Sequence, residues 1–227
     1  MIDFTIDYET FGSTPNAAVI DLALIAFNAD PTVVETFDEL VARGKRIKFN
    51  LAAQKGHRTF SKGTIKWWKG QSAEARANLA PSENDMTIVD GITEALMYLK
   101  EQGVDAWNSQ GWCRGMSFDF PIFTDHIREI QRDAGVAEEE IDTFTAEPCK
   151  FWNQRDIRTA IECYSMVRGL STTPLPADTL NGFVMHDSIH DCAKDILMLK
   201  YAQRYALGLD EVPDESNADP LSLPKTR

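Results

Sequence analysis

MIDFTIDYETFG, Met1 to Gly12, is the stretch from which the fold is read. Ile2, Phe4 and Ile6 recur two apart, the period of a β-strand with one face in a core, before the run ends in polar residues and a glycine. Residues i and i+2 of a strand project from the same side, so Asp7 and Glu9 leave the sheet together, about 7 Å apart along the backbone. Two carboxylates that close repel each other, and either a cation lies between them or one keeps its proton. Carboxylate oxygens suit hard divalent ions such as Mg2+ or Mn2+.

Outward from this strand, Ala17 to Phe27 is a nearly continuous apolar run that predicts a strand buried on both faces. Asp21 is its one acid, and a buried carboxylate needs a partner, here an ordinary hydrogen bond or a support near the metal. Thr32 to Ala42 is expected to be a third strand, giving the sheet an antiparallel start. Helices are predicted over Asp85–Gln102, over a segment capped by Ser117 with Asp119 in its first turn, over Thr159–Leu170, and from Asp187 to a stop at Gly208. Short strands are expected at Trp107–Cys113 and Phe151–Ile157. Strands alternating with helices make this an α/β protein. Residues 1–208 read as one domain, and residues 209–227, rich in Pro and acids, as an extended or disordered tail.

The chain has 227 residues, 43% of them hydrophobic, enough for a sizeable core. It lacks an apolar run of membrane-spanning length and a signal-peptide pattern at Met1, so no membrane partner and a cytoplasmic location are expected. Cys113, Cys149, Cys163 and Cys192 show no metal-type spacing and are expected to be thiols. A net charge of −12 speaks against a polyanionic partner, but its distribution does not. Arg43 to Lys69 holds nine Lys/Arg and no Asp or Glu, so the remainder carries −21. Phe49, His57, Phe60, Trp67 and Trp68 are interleaved with those cations, and Ser61 is placed to cap a helix. Cations that hold phosphates and rings that stack on unpaired bases make a single-stranded nucleic-acid track. The plainer alternative is that the tryptophans are core and the lysines a solvated face.

Asp7 and Glu9, Asp119, and Asp191 each lie at a strand end or a helix start, and such edges converge in an α/β sheet. Each has an ordinary explanation singly; Asp119, for instance, gains from the helix dipole alone. Together they carry more negative charge than one ion balances, whereas two divalent ions suit them and phosphoryl displacement. His186 adds an imidazole that can take a proton from water near neutral pH. His186 and His190 are spaced like zinc ligands, but no third ligand stands in register.

Asp7-Tyr8-Glu9-Thr10, Phe118-Asp119 preceded by Gly115, and His186 followed five residues on by Asp191 resemble, in order, the three motifs of the DEDDh 3'→5' exonucleases. These are the DnaQ-like members of the ribonuclease H-like superfamily. The segments AAVIDLA, CRGMSFDFP, EPCKFWNQRDIRT and HDSIHDCAKDILM are similar to phage exodeoxyribonucleases of that family. The resemblance implies a mixed five-stranded sheet flanked by helices and two divalent cations, Mg2+ or Mn2+. Asp7, Glu9, Asp119 and Asp191 would hold the ions, and His186 would be the general base. Thr10, Phe11 and Gly12 would hold the terminal nucleotide, and either Trp67 or Trp68 is expected to stack on a base. Asp21 stands where many relatives have Glu. The expected activity is release of 5'-mononucleotides from single-stranded DNA, with RNA as the alternative substrate and a non-catalytic nucleic-acid-binding module as a third reading.

Overall fold

The structure, a computed structural model, describes residues 1–223. Strand β1 (Ile2–Thr10) pairs antiparallel with β2 (Val19–Asn28), from Ile2 opposite Asn28 to Glu9 opposite Asp21, with an irregularity between Glu9 and Thr10. β3 (Lys45–Lys48) adds antiparallel to β2. On the other side β4 (Gly111–Cys113) runs parallel to β1, and β5 (Gln154–Asp156) parallel to β4. The sheet order is β3-β2-β1-β4-β5, the mixed five-stranded arrangement expected.

Eight α-helices lie among the described residues: α1 (Phe37–Arg43), α2 (Lys62–Lys69), α3 (Ala73–Asn78), α4 (Ile88–Glu101), α5 (Asp119–Asp133), α6 (Thr143–Ala146), α7 (Ile157–Met166) and α8 (Ser188–Leu207). Phe4, Ile6 and Tyr8 face a core completed by Ile92 and Leu99 of α4 and Phe123 and Ile127 of α5. The opposite face of β2 packs Ala23, Ile25 and Phe27 against Leu40 of α1, Ile161 of α7, and Ile196 and Leu197 of α8. Both faces are covered, so β1 turns its odd-numbered residues, Asp3, Thr5, Asp7 and Glu9, toward the α7/α8 layer rather than toward open solvent. Asp3 is satisfied there, accepting the Gln110 N–H at 2.9 Å and the Trp112 indole N–H at 3.1 Å.

Several local expectations change. Thr32–Ala42 is not a strand: Thr36 and Glu39 form a capping box, each side chain accepting the other's backbone N–H, and start α1. Phe37 and Leu40, one turn apart, bury its inner side, so the apolar spacing there was helical. The third strand falls instead at Lys45–Lys48, where alternation is masked by cations and only Ile47 is buried. β4 is three residues long because Asp105 folds the preceding segment into a turn, accepting the N–H groups of Trp107 and Asn108. Ser117 does not cap α5, whose first flanking residue is Phe118 and has no side-chain cap. Ser61 caps α2, accepting from the Thr64 N–H. Asp187 caps α8, and Gly208 ends it at a φ of 68°.

Residues 209–223 have little regular structure and are docked on the rest of the chain. The Asp219 carboxylate accepts the Leu180 N–H at 2.8 Å, the Ser222 hydroxyl accepts the Leu175 N–H at 2.9 Å, and Ala218 bridges to Pro176. The last four positions of the expected tail, 224–227, lie outside the described residues. No helix among the described residues is long and apolar enough to cross a membrane. The four cysteines are unpaired.

Gly111 in β4 is a steric requirement. A Cβ there would stand 2.7 Å from both Cys149 Sγ and Phe4 Cζ. Gly111→Ala should therefore cost about 1–3 kcal/mol by overpacking, read from the urea midpoint; an unchanged midpoint would show that the core yields freely.

Candidate active site

The polar face of β1 opens into a cleft of about 510 Å³ at the carboxyl ends of β1 and β4. Asp7, Glu9, Asp119, His186 and Asp191 all line it. Each arrives by a different local device. Asp7 and Glu9 come from strand alternation. β4 ends at Cys113, short of the last residues of β1, and there the Asp119 carboxylate at the start of α5 accepts the Tyr8 N–H at 2.9 Å. Asp191, in the first turn of α8, accepts the His186 N–H at 3.0 Å. His186 itself has a φ of 62°, a left-handed conformation that costs a non-glycine residue roughly 1–2 kcal/mol. That turn brings its ring into edge contact with Trp67 and Trp68, at centroid distances of 5.0 and 6.4 Å.

Electrostatics in the cleft are dominated by crowded acids. Asp7 is held well above the ordinary carboxyl range by burial first, then by Glu9, Asp119, Asp191 and Asp195. Glu9 is pushed up to about 9 by burial and by Asp21, Asp191 and Asp119. Burial also raises Asp119 and Asp191 to about 7, against the N–H groups that each accepts. Such groups resist ionising together unless cations join them. One ligand atom from each of Glu9, His186 and Asp191 can lie within 4.8 Å of the others. This oxygen-rich set with one imidazole fits a hard divalent ion, and Asp7 and Asp119 on the same cleft supply further carboxylates.

Opposite Glu9 in the register, Asp21 is buried and raised to about 6, with Arg46 at 3.7 Å drawing it down. His190 does not join His186: its Nδ1 accepts the Val184 N–H, and its ring packs on Phe37 and Phe183. Asp195 and Lys194 of α8 also line the cleft. Arg114 grips Asp195 through Nε at 3.0 and 2.9 Å, and the Lys194 ammonium donates to Leu221 O at 2.6 Å. Asp195 lies one turn after Asp191, so helical spacing carried the signal; Arg114 and Arg158 at the rim had none.

The end of β1 is tied down by the basic segment. Thr10 is buried, its hydroxyl donates to Gly12 O at 2.6 Å, and its carbonyl accepts the Trp68 indole N–H at 2.9 Å. Phe11 stacks on Phe60 at 5.9 Å. A Cβ on Gly12 would stand 3.0 Å from Ala17 Cβ, a tight approach at this turn. Trp68, 5% exposed, is a support for β1 and not an available stacking ring, whereas Trp67 is 46% exposed. The segment is also less open than its charge implied. Arg43 pairs with Glu35, Lys45 with Glu94, Arg46 with Asp187, Lys48 with Asp85 and Arg58 with Asp125 and Glu129. Lys62, Lys66 and Lys69 are exposed on α2.

Residues 3–202 match the family model described as the 3'-5' exoribonuclease Rv2179c-like domain. The chain belongs to this family. Over all 227 residues it is 64% identical to a protein of Enterobacteria phage T4 named exodeoxyribonuclease, with both chains covered completely. Among solved structures, E. coli exonuclease I in complex with a dA16 oligonucleotide aligns with a TM-score of 0.54 at 13% identity, over 92% of this chain and 42% of that one. Cell-death related nuclease 4 aligns at 0.53 and 12%, over 91% and 64%. These two likenesses are of fold, and this chain spans less than half the length of exonuclease I. Family and fold agree with the resemblance carried by the three motifs: this is an exonuclease-family chain with the ribonuclease H-like sheet.

A carboxyl whose folded pKa exceeds its unfolded value holds its proton longer in the folded protein, so stability falls as pH rises through that interval. With unfolded values near 4 and folded ones of about 7 for Asp119 and Asp191 and about 9 for Glu9, the metal-free protein should lose thermal stability progressively from about pH 4 to about pH 9. Scanning calorimetry should find that Mn2+ restores more at about pH 8 than at about pH 5. A pH-independent Mn2+ effect would detach the ions from these acids.

Proposed function

We propose that this chain is a metal-dependent 3'→5' exonuclease that hydrolyses single-stranded DNA to 5'-mononucleotides by a two-metal mechanism. Residues 1–208 form the exonuclease unit, and residues 209–227 are appended to it. The observation that carries this reading is the meeting of Asp7, Glu9, Asp119, Asp191 and His186 in one cleft. End-to-end identity of 64% with a phage exodeoxyribonuclease supports it.

Asp7, Glu9 and Asp191 hold the ions with Asp119 in support. Bound Mg2+ or Mn2+ neutralises this charge and that of the phosphate and lowers the pKa of water. An imidazole nitrogen of His186 accepts the proton of the attacking water. The water oxygen forms a bond to the terminal phosphorus as the P–O3' bond breaks, and the departing O3' takes up a proton from solvent, leaving a 5'-mononucleotide and a strand with a new 3'-hydroxyl. The turn at Thr10, Phe11 and Gly12 holds the terminal nucleotide, Trp67 offers an exposed ring beside His186, and Lys62, Lys66 and Lys69 hold phosphates. RNA is the second reading, because the family model is described by exoribonuclease activity. A site that accommodates the 2'-hydroxyl would favour it. A binding module without turnover is the third, and it is disfavoured because every motif acid and His186 is present.

Matched 5'-labelled DNA and RNA oligonucleotides, incubated with Mg2+, Mn2+ or chelator, test the proposal. DNA should shorten one nucleotide at a time with either metal and stay intact with chelator; faster RNA trimming would reverse the sugar assignment. Asp7→Ala should lower the rate by more than ~100-fold while the fold persists, since even an outer hydrogen bond to a metal ligand is worth 10–100-fold. His186→Ala should cost about 10²–10⁴ in kcat and remove the acid limb of the pH–rate profile; survival of that limb would reject His186 as the base.

A further inference from the structure

Four aromatic residues that the cleft does not use gather beside the amino-terminal end of β5. Trp107, Phe144, Phe151 and Trp152 are 59%, 41%, 65% and 45% exposed. Their centroids lie 4.9 Å apart for Phe151–Trp152, 5.8 Å for Phe144–Trp152, 5.9 Å for Trp107–Trp152 and 6.0 Å for Trp107–Phe144. The patch is built rather than loose. Lys150, 4% exposed, sets its ammonium 4.0 Å from the Phe144 centroid and 4.9 Å from that of Trp107, and donates to Phe144 O at 2.6 Å. The Asn153 amide donates to Trp107 O at 2.8 Å. Rings this large normally bury most of their surface, and a contiguous exposed apolar patch marks a contact surface.

What it contacts follows from its connection to the cleft. Phe151 to Arg158 reads FWNQRDIR: the aromatic pair leads into β5, the last strand of the sheet order, and β5 leads to Ile157 and Arg158 on the cleft wall. Arg155 lies between, its guanidinium held along the strand by the carbonyls of Trp152 and Gln154. The neighbouring acids are occupied. Asp156 accepts the N–H groups of Gly115, Met116 and Thr159, and Asp195 is held by Arg114. The row therefore presents guanidinium groups followed by exposed flat rings, the pairing that suits phosphates and unstacked bases.

We infer that Phe151, Trp152 and Trp107 form a second stacking surface for single-stranded nucleic acid, reached by a strand that leaves the cleft past Arg158 and Arg155. This rests on the exonuclease reading of the cleft. Trp152 and Arg158 are six positions apart, at most about 20 Å of chain, or the length of about six stacked nucleotides. A 16-mer held in the cleft is long enough to reach the rings, and a tetranucleotide, about 14 Å when stacked, is the short control.

The test uses the full chain and the double variant Phe151→Ala/Trp152→Ala. Anisotropy of 5'-fluorescein dT16 in chelator should give at least a tenfold weaker Kd for the variant, and the kcat/KM ratio of dT16 to dT4 with Mg2+ should fall at least tenfold. Phe151→Tyr/Trp152→Phe keeps the rings and should restore both. Phe151→Ser serves in its place if the double variant loses its native circular dichroism. An unchanged Kd for dT16, or an equal fall in kcat/KM for both lengths, overturns the inference and leaves the patch to a protein partner. If the native chain binds dT16 but cleaves neither oligonucleotide, the exonuclease reading falls while the Kd comparison still decides the patch.

Discussion

Repulsion among carboxylates held close together at the end of β1 is the constraint around which this molecule is arranged. The alternation that sends Phe4, Ile6 and Tyr8 into the α4/α5 core sends Asp7 and Glu9 beneath α8, where Asp191 and Asp195 descend toward them. No side-chain rearrangement can separate them without moving strand or helix. Burial on the Phe4 face and along Ala193, Ile196 and Leu197 therefore holds the like charges together. Burial raises Asp7, Glu9, Asp119 and Asp191 above the ordinary carboxyl range, so the cluster resists ionising as a whole.

The basic segment answers that constraint in two ways. Arg46 reaches both Asp21 and the helix cap Asp187, so a cation from β3 steadies the strand opposite Glu9 and the entry to α8. Trp68 closes over Thr10 and, with Trp67, borders His186. A stretch that looked like a continuous electropositive track is thus largely scaffold. Its exposed remainder beside the cleft is Lys62, Lys66, Lys69 and Trp67 of α2, while Lys55 and His57 are exposed on the preceding turn. Local charge density in a sequence counts cations without counting the acids that fold against them.

Much of the site was legible because its signals are local. Strand alternation exposed Asp7 and Glu9, helix-start chemistry placed Asp119 and Asp191, and the cap at Asp187 set His186 two residues before α8. Where the reading failed, competing local signals were close in strength. Thr32–Ala42 contains β-branched residues, but the capping box of Thr36 and Glu39 prevailed. α8 is buried almost all round because it packs on α7, β1 and β2 together, which is why Asp195 too is enclosed.

By itself the sequence determined the alternating class of the fold, the acids and the histidine of the cleft, and the helix bounds set by Asp187 and Gly208. These depend on periodicity and capping, which act within a few residues. Only the tertiary structure decided that Trp68 is a prop while Trp67 stays open, that Arg114 and Arg158 border the acids, that 209–223 is docked, and that Trp107 meets Phe144 and Trp152. Those outcomes depend on which distant surfaces meet, and contact energies between residues tens of positions apart leave no periodic mark on the chain.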